Sequence, residues 1–265
     1  MAVTSSAPTG ATHSYLAQMR DAYRDMPGAS SPLHLSELRT FANYVRHRAL
    51  RSQRTFAFAG RGYRYHFARY NTTWHHERAI EIPVVWEVVR RYDPERVLEV
   101  GNVLPHYFKT SHMVVDKDES DPRVVNADVV EFTTDRRFDL ILTISTLEHV
   151  GFDYSEVGEP EKVMLAIDHL RELLSAHGRM LVTLPVGYNP HLDELLRDGT
   201  LRFDRLLAAE RVSPDNRWRE TTWEEIATAR YGDPYRGANG LVIGIIGADG
   251  GADLPGLGPD GPASR

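Results

Sequence analysis

Residues 97–108 read VLEVGNVLPHYF. Apolar β-formers flank an acid and stop at Gly101, the pattern of a buried strand entering a tight turn. A turn that cradles a pyrophosphate at a helix N-terminus carries further glycines at set positions. Val103 and Pro105 stand there instead. The strand and its first glycine are kept while the phosphate cradle is not, which argues against a nicotinamide dinucleotide site.

Working outward from this stretch, apolar strands and helical patterns alternate. Strands are predicted at 96–100, 112–116, 123–126, 138–145 and 179–185, with later ones at 207–213 and 240–246. The stretch EPEKVMLAIDHLRELLSAHG reads as a helix with Val163, Ile167, Leu170 and Leu174 inward, closed by Gly178. TTWEEIATA reads as a short helix with a threonine cap. Near-continuous apolar strands are expected when helices cover both sheet faces. The order implies an α/β fold, a doubly wound, Rossmann-like, mostly parallel seven-stranded sheet with an N-terminal helical cap.

Before the sheet, HHERAIEIPVVWEVVRRY reads as a helix with Ile80, Val84, Val85, Val88 and Tyr92 on one face. Pro83 should bend it or mark its start. A further helical pattern starts at Ser31 and Pro32 and runs through Leu35, Leu38, Phe41, Tyr44 and Val45. The stretch FAFAGRGYRYHFARY is aromatic, glycine-punctuated and open to either structure. The expected organisation is a disordered 1–12, a cap or lid over 13–95, a ligand-binding domain over 96–246 and a mobile Gly/Pro-rich tail over 247–265.

The 265 residues carry a net charge of −6, which speaks against general nucleic-acid binding. There is no cysteine, so disulfides, cysteine nucleophiles and thiolate metal sites are excluded. No apolar run reaches the ~20 residues of a membrane span. The opening residues lack a basic region followed by an apolar core, so a cytoplasmic location is expected. No HExxH spacing occurs, and adjacent histidines rarely address one ion, so no metal is expected. A homodimer is the commonest assembly for such a chain.

In open α/β sheets, ligands lie beyond the carboxyl ends of the strands, where strand order reverses. The first strand delivers Glu99 and Gly101 there, and the second delivers Asp116, an acid suited to ribose hydroxyls. The third ends at Asp128, where an amide-like edge or an adenine amino group is readable. The fourth delivers Ser145, Thr146, Glu148 and His149, and the fifth runs into PVGYNPHLD. His149 either takes a proton from the acceptor as a base or shapes the pocket from a helix start. Glu148 reads as structural. The stretch YNTTWHHER either forms a lid, with Tyr70, Trp74 and Arg78 meeting substrate, or docks the cap. Tyr188 and His191 follow the fifth strand, where substrate loops often sit. Trp218 either flanks a substrate ring with Arg217 and Arg219 or plugs a core edge.

Together VLEVG, VVD, NADVVEF, FDLILTISTLEHV and LRELLSAHGRMLVTLP resemble the five ordered motifs of the class I S-adenosylmethionine-dependent methyltransferases, over residues 96–246. The wording of GNVLPHYF, STLEHVGFDY and LPVGYNPHLD is also similar to a branch met in bacterial polysaccharide and specialised-metabolite pathways. The resemblance implies S-adenosyl-L-methionine as cofactor and a small-molecule acceptor methylated on oxygen or nitrogen. It implies Glu99 and Gly101 at the cofactor's amino-acid end, Asp116 at the ribose, Asp128 at the adenine and Thr146 beside the sulfonium. Asn102, Lys117, Val129 and Ser145 complete that set. Val103 and Pro105 depart from the family's turn. They leave open a shifted methionine chain, with aminocarboxypropyl transfer or ring closure in place of methyl transfer. A non-catalytic binding module with a spent site is the remaining reading.

Overall fold

The computed structural model describes residues 42, 44–46, 48–50, 53–152 and 159–258. Described positions between 42 and 50, Tyr44 and Val45 among them, are helical; Ser31, Pro32, Leu35, Leu38 and Phe41 lie outside the described residues.

The ambiguous aromatic stretch is a hairpin. Thr55–Phe58 (β1) pairs antiparallel with Arg61–Arg64 (β2). Ala59 and Gly60 both turn with positive φ, 52° and 75°. That geometry matches the twist of paired strands. After a 3-10 segment at Tyr70–His75, helix Arg78–Val89 (α1) follows. Pro83 lies inside this helix rather than at its start. The carbonyl that proline leaves unpaired is that of Ala79, and it accepts the His66 N–H at 2.8 Å. The hairpin's exit strap thus repairs the defect that Pro83 creates.

The sheet strands are Val97–Val100 (β3), Met113–Val115 (β4) and Phe138–Ile144 (β5). Helix Lys162–Glu172 (α2), strand Leu174–Pro185 (β6) and helix Pro190–Arg197 (α3) come next. Strands Arg205–Arg211 (β7) and Trp218–Thr221 (β8), the short helix Trp223–Ile226 (α4) and strand Gly240–Gly247 (β9) complete the fold. Their order in the sheet is β4-β3-β5-β6-β9-β7-β8. β3 runs parallel to β4 and β5, and β5 parallel to β6. β9 is antiparallel to β6 and β7, and β8 to β7. The chain leaves β3 to one side for β4 and returns to its other side for β5, so strand order reverses at β3. The expected Rossmann-like seven-stranded sheet is the architecture observed.

Side-chain alternation along the strands sorts two cores. Leu140, Leu142, Leu181 and Ile243 meet Ile80, Val85 and Val88 of α1 on one face. Leu98, Ile141, Val182 and Val242 meet Val163, Ile167 and Leu170 of α2, with Leu192 and Leu195 of α3, on the other. Phe58 of the hairpin belongs to the first core together with α1. Among the described residues, no helix is long and apolar enough to cross a membrane.

Three expectations need correction. The third strand, 123–126, is reduced to one parallel bridge, Val115 with Val125. The helix expected through residue 177 ends at Glu172, and β6 begins at Leu174. Between the pairs Phe138–Leu174 and Leu140–Arg179 the chain bulges out, and Gly178 passes where a Cβ would meet the Phe138 carbonyl at 2.5 Å. That glycine serves a close approach rather than a helix end. The tail is the third. Leu254 and Leu257 are buried in the α1-side core, and Tyr63 donates to the Gly256 carbonyl at 3.3 Å. Apolar leucines among the glycines hold this stretch down, at least to residue 258.

Candidate active site

The turn after β3 is built around Glu99. This side chain is fully buried, and its Oε1 accepts the N–H groups of Val103 and Leu104 at 2.8 and 2.7 Å. Its Oε2 hydrogen-bonds His112 Nε2 at 2.6 Å. The carboxylate that was expected at the amino-acid end of a cofactor is therefore spent on shaping the turn. It performs internally the anion–amide pairing that a glycine-rich turn offers to a ligand.

Asp116, at the end of β4, joins that turn to its own loop. Its Oδ2 accepts from the Asn102 N–H at 3.0 Å, and its Oδ1 from Asp118 and Glu119 at 2.9 and 3.1 Å. Asn102 sends its amide nitrogen to Glu119, while its Oδ1 is buried and accepts no hydrogen bond. Gly101, at φ +86°, lies so close to Thr146 that a Cβ would stand 2.3 Å from its Oγ1. Asp128 is ion-paired with Lys162 at 2.8 Å and Lys117 at 3.6 Å, two of the chain's three lysines. Those partners and the Val130 N–H hold its carboxyl below the usual range, against the burial that opposes ionisation. Val129 is buried in the α2-side core. Asp128, Lys117, Asp116, Asn102, Gly101 and Thr146 thus form one continuous rim across the ends of β4, β3 and β5.

The ends of β5 and β6 are built differently. Ser145 takes a left-handed φ of 41°, a costly conformation for a residue with a Cβ. Glu81 of α1, fully buried, anchors it: its Oε2 accepts from Ser145 Oγ and Thr183 Oγ1, both at 2.8 Å. Arg78 neutralises Glu81 at 2.6 Å and donates to the Ile144 carbonyl at 2.9 Å. Arg78 therefore braces the strand end. Glu148 lies nearby in the 3-10 turn Leu147–His149, buried, with Oε2 accepting no hydrogen bond. Burial pushes its carboxyl up to about 8, Glu81 adds to that, and His149 and Arg78 oppose it. His149 Nε2 lies 3.7 Å from Glu148 Oε1, and its backbone N–H bonds the Thr146 carbonyl at 3.1 Å. The base candidate sits one turn from the rim.

Two aromatic groups lie near these strand ends. Tyr70 stacks on His106 of the β3 turn at 4.1 Å, where it follows the strand end, with left-handed Asn71 and Thr72 just behind it. Trp74 is buried, its Nε1 donating to His75 at 2.8 Å. On the other side Tyr188 contacts His149, Phe152 and Tyr231. His191 sits in the first turn of α3, its N–H bonded to the capping Asn189 side chain. Trp218 is buried with its Nε1 on Asn216 at 2.8 Å, a core-edge plug.

Sequence reasoning did not pick out Glu81, His106, Phe152 or Tyr231, and gave Glu148 only a structural part. A lone acid within AIEIPVV was a legible sign for Glu81, because an unpaired charge on a buried helix face must find partners. Tyr231 has no such sign: only tertiary folding brings it to Tyr188.

No family model matches this chain, and none of the curated proteins does. Among solved structures it is similar to the N-methyltransferase NodS from Bradyrhizobium japonicum WM9 in complex with S-adenosyl-L-homocysteine, at 12% identity, over 62% of this chain and 83% of that one, with a TM-score of 0.37. It is also similar to the 1,6-didemethyltoxoflavin-N1-methyltransferase of Burkholderia thailandensis, crystallised with 1,6-didemethyltoxoflavin and S-adenosylhomocysteine. That likeness has 17% identity, covers 92% of both chains and has a TM-score of 0.38. An rRNA methylase from Streptococcus thermophilus matches at 10% identity, over 64% of this chain and 96% of its own, with a TM-score of 0.35.

Proposed function

We propose that this chain is an S-adenosyl-L-methionine-dependent methyltransferase acting on oxygen or nitrogen of a small polar acceptor from a biosynthetic pathway. The observation that carries the reading is the rim: Asp128, Asp116, Asn102, Gly101 and Thr146 meet beyond the carboxyl ends of strands whose order reverses at β3. A crevice there is where open α/β sheets bind nucleotides.

The residues fit a nucleoside with a charged tail. A carboxylate has roughly four lone-pair sites. Asp116 gives three of them to amides, which leaves one for a ribose hydroxyl. The buried Asn102 Oδ1, with no donor of its own, is the natural acceptor for a second hydroxyl or an ammonium. The bound cofactor would supply an electrophilic methyl on a sulfonium. For the rest, the chain aligns and dries the site. Gly101 against Thr146 closes the wall, Tyr70 on His106 covers the turn, and His149 takes the proton that a hydroxyl or amine acceptor loses.

One observation favours a second reading. Glu99 already occupies the Val103 and Leu104 amides, so the carboxylate of a methionine chain must be held elsewhere. A shifted chain exposes another carbon beside sulfur to attack. Product analysis separates the two. S-adenosylhomocysteine indicates methyl transfer, and methylthioadenosine indicates aminocarboxypropyl transfer or cyclisation. Calorimetry of the full chain with S-adenosylhomocysteine tests the shared premise: saturable heat supports both readings, and a flat trace at high ligand concentration leaves a binding module with a spent site.

A further inference from the structure

We infer that Glu81 is a positioning residue: through Ser145 and Thr183 it sets the place of Thr146, which the methyl-transfer reading puts at the cofactor's sulfur. The identity of that ligand rests on the methyl-transfer reading; the grip itself is visible in the fold.

Glu81 stands in the apolar stretch AIEIPVV, in the first turn of α1. It is fully buried, as is Thr183 of β6. A fold alone gains little from a buried ion pair, since apolar side chains of similar volume serve as well. What the carboxylate adds is a fixed acceptor. Its Oε2 accepts from Ser145 Oγ and Thr183 Oγ1, both at 2.8 Å, and its Oε1 accepts from Arg78 at 2.6 Å. Thr183 Oγ1 in turn accepts the Ser145 N–H at 2.9 Å, beside the Thr183 carbonyl at 3.1 Å. Arg78 donates to the Ile144 carbonyl at 2.9 Å. The hydroxyl, the N–H and the preceding carbonyl of Ser145 are thus tied to one carboxylate, directly or through a single group.

This grip falls on a residue that needs it. Ser145 has φ 41°, a conformation that glycine takes freely and that a residue with a Cβ takes at a cost. A glycine would relieve the turn and would lose the hydroxyl by which Glu81 holds it. Thr146 follows directly. Its Oγ1 donates to the Ile144 carbonyl at 3.1 Å, so α1 and the rim share that one oxygen. Thr146 also lies so close to Gly101 that a Cβ there would stand 2.3 Å from its Oγ1. Rotation of the peptide between Ser145 and Thr146 therefore drives Thr146 into Gly101 or away from the rim.

The nucleoside seat is held separately. Asp116 takes loop amides, and Asp128 is paired with Lys162 and Lys117. Loosening the grip of Glu81 should cost the sulfur end of the ligand and spare its nucleoside.

Thr183→Val isolates this role. Thr183 is too deep to touch a ligand, the substitution keeps its shape, and the Ser145 N–H retains the Thr183 carbonyl. Calorimetry of the full chain compares S-adenosylhomocysteine with adenosine, which lacks the sulfur and the amino-acid chain. The expected result is a roughly tenfold loss of S-adenosylhomocysteine affinity at unchanged adenosine affinity, recovered in Thr183→Ser, which restores the hydroxyl. If Thr183→Val loses its cooperative urea melt, Glu81→Gln, which weakens the same acceptor, carries the comparison with the same expected change of ratio. Equal losses for both ligands mark a merely structural role and overturn the inference, as does an unchanged ratio. A parent chain that binds both ligands equally has no sulfur-end contact to position, and overturns it too. A parent chain that binds neither ligand overturns the methyl-transfer reading, and this inference with it.

Discussion

The two halves of the sheet's carboxyl edge are furnished in opposite ways. At the ends of β3 and β4 the acids are largely occupied by the chain itself: Glu99 and Asp116 between them take five backbone N–H groups, and Glu99 also holds His112. At the ends of β5 and β6 the chain tolerates a left-handed serine, a buried acid with an unanswered oxygen and exposed aromatic rings. On the proposed function the first half is a rigid seat for a ligand of fixed shape. The second carries costs that a merely structural edge would have shed, and such costs gather where chemistry is done.

If that division is right, substitutions in the two halves must fail differently. The largest effect is expected on the reactive side. His149→Ala should lower turnover about 10²- to 10⁴-fold, the span of general-base catalysis. It should leave S-adenosylhomocysteine affinity nearly unchanged by calorimetry; unaltered turnover would remove His149 as the base. On the seat side, Asp116→Ala should lower that affinity about a hundredfold, because one ligand contact is lost and three loop amides lose their acceptor. Unchanged affinity would put the nucleoside elsewhere.

The two halves also differed in how readable they were. Strand pattern and motif order located β3, β4 and β5 and brought Gly101, Asp116 and Thr146 to one edge, because strand ends inherit their position from the fold. The partners of Glu99 were not legible. An acid before a turn glycine looks alike whether it faces a ligand or its own amides, and only the path forced by Val103 and Pro105 decides. The contacts of Tyr188 were half legible. Tyr188 follows a strand and could be named, whereas Tyr231 meets it only through tertiary folding, about forty residues away in the chain. The bulge at 175–178 hid for a related reason: an apolar helix running into a strand leaves no composition break at the junction.

The unanswered acid gives the comparison a pH signature. Glu148 is raised from 4.5 to about 8 by burial, so between those values the unfolded chain sheds a proton that the folded chain keeps. Stability should therefore fall as pH rises through that window and level off above it. Glu148→Gln should remove most of that slope and raise stability at pH 8 by on the order of 3 kcal/mol, read from urea melts at several pH values. A slope equal to that of the parent would mean that Glu148 is already ionised at neutral pH and has found a partner.

Asp193 offers the same experiment on a smaller scale and with a built-in opponent. Burial raises its carboxyl from 3.8 to about 6, but the Gly187 N–H pulls the other way by stabilising the charged form. Its share of the loss should fall between those two values and be complete near neutrality, whereas the share of Glu148 continues up to about pH 8. Asp193→Asn should flatten the curve only on that acidic side. The gain should be smaller than for Glu148→Gln, because the amide oxygen that replaces the carboxylate is a weaker acceptor for Gly187. A curve that Asp193→Asn leaves unchanged below neutrality would show that this carboxyl is already ionised there, held by Gly187.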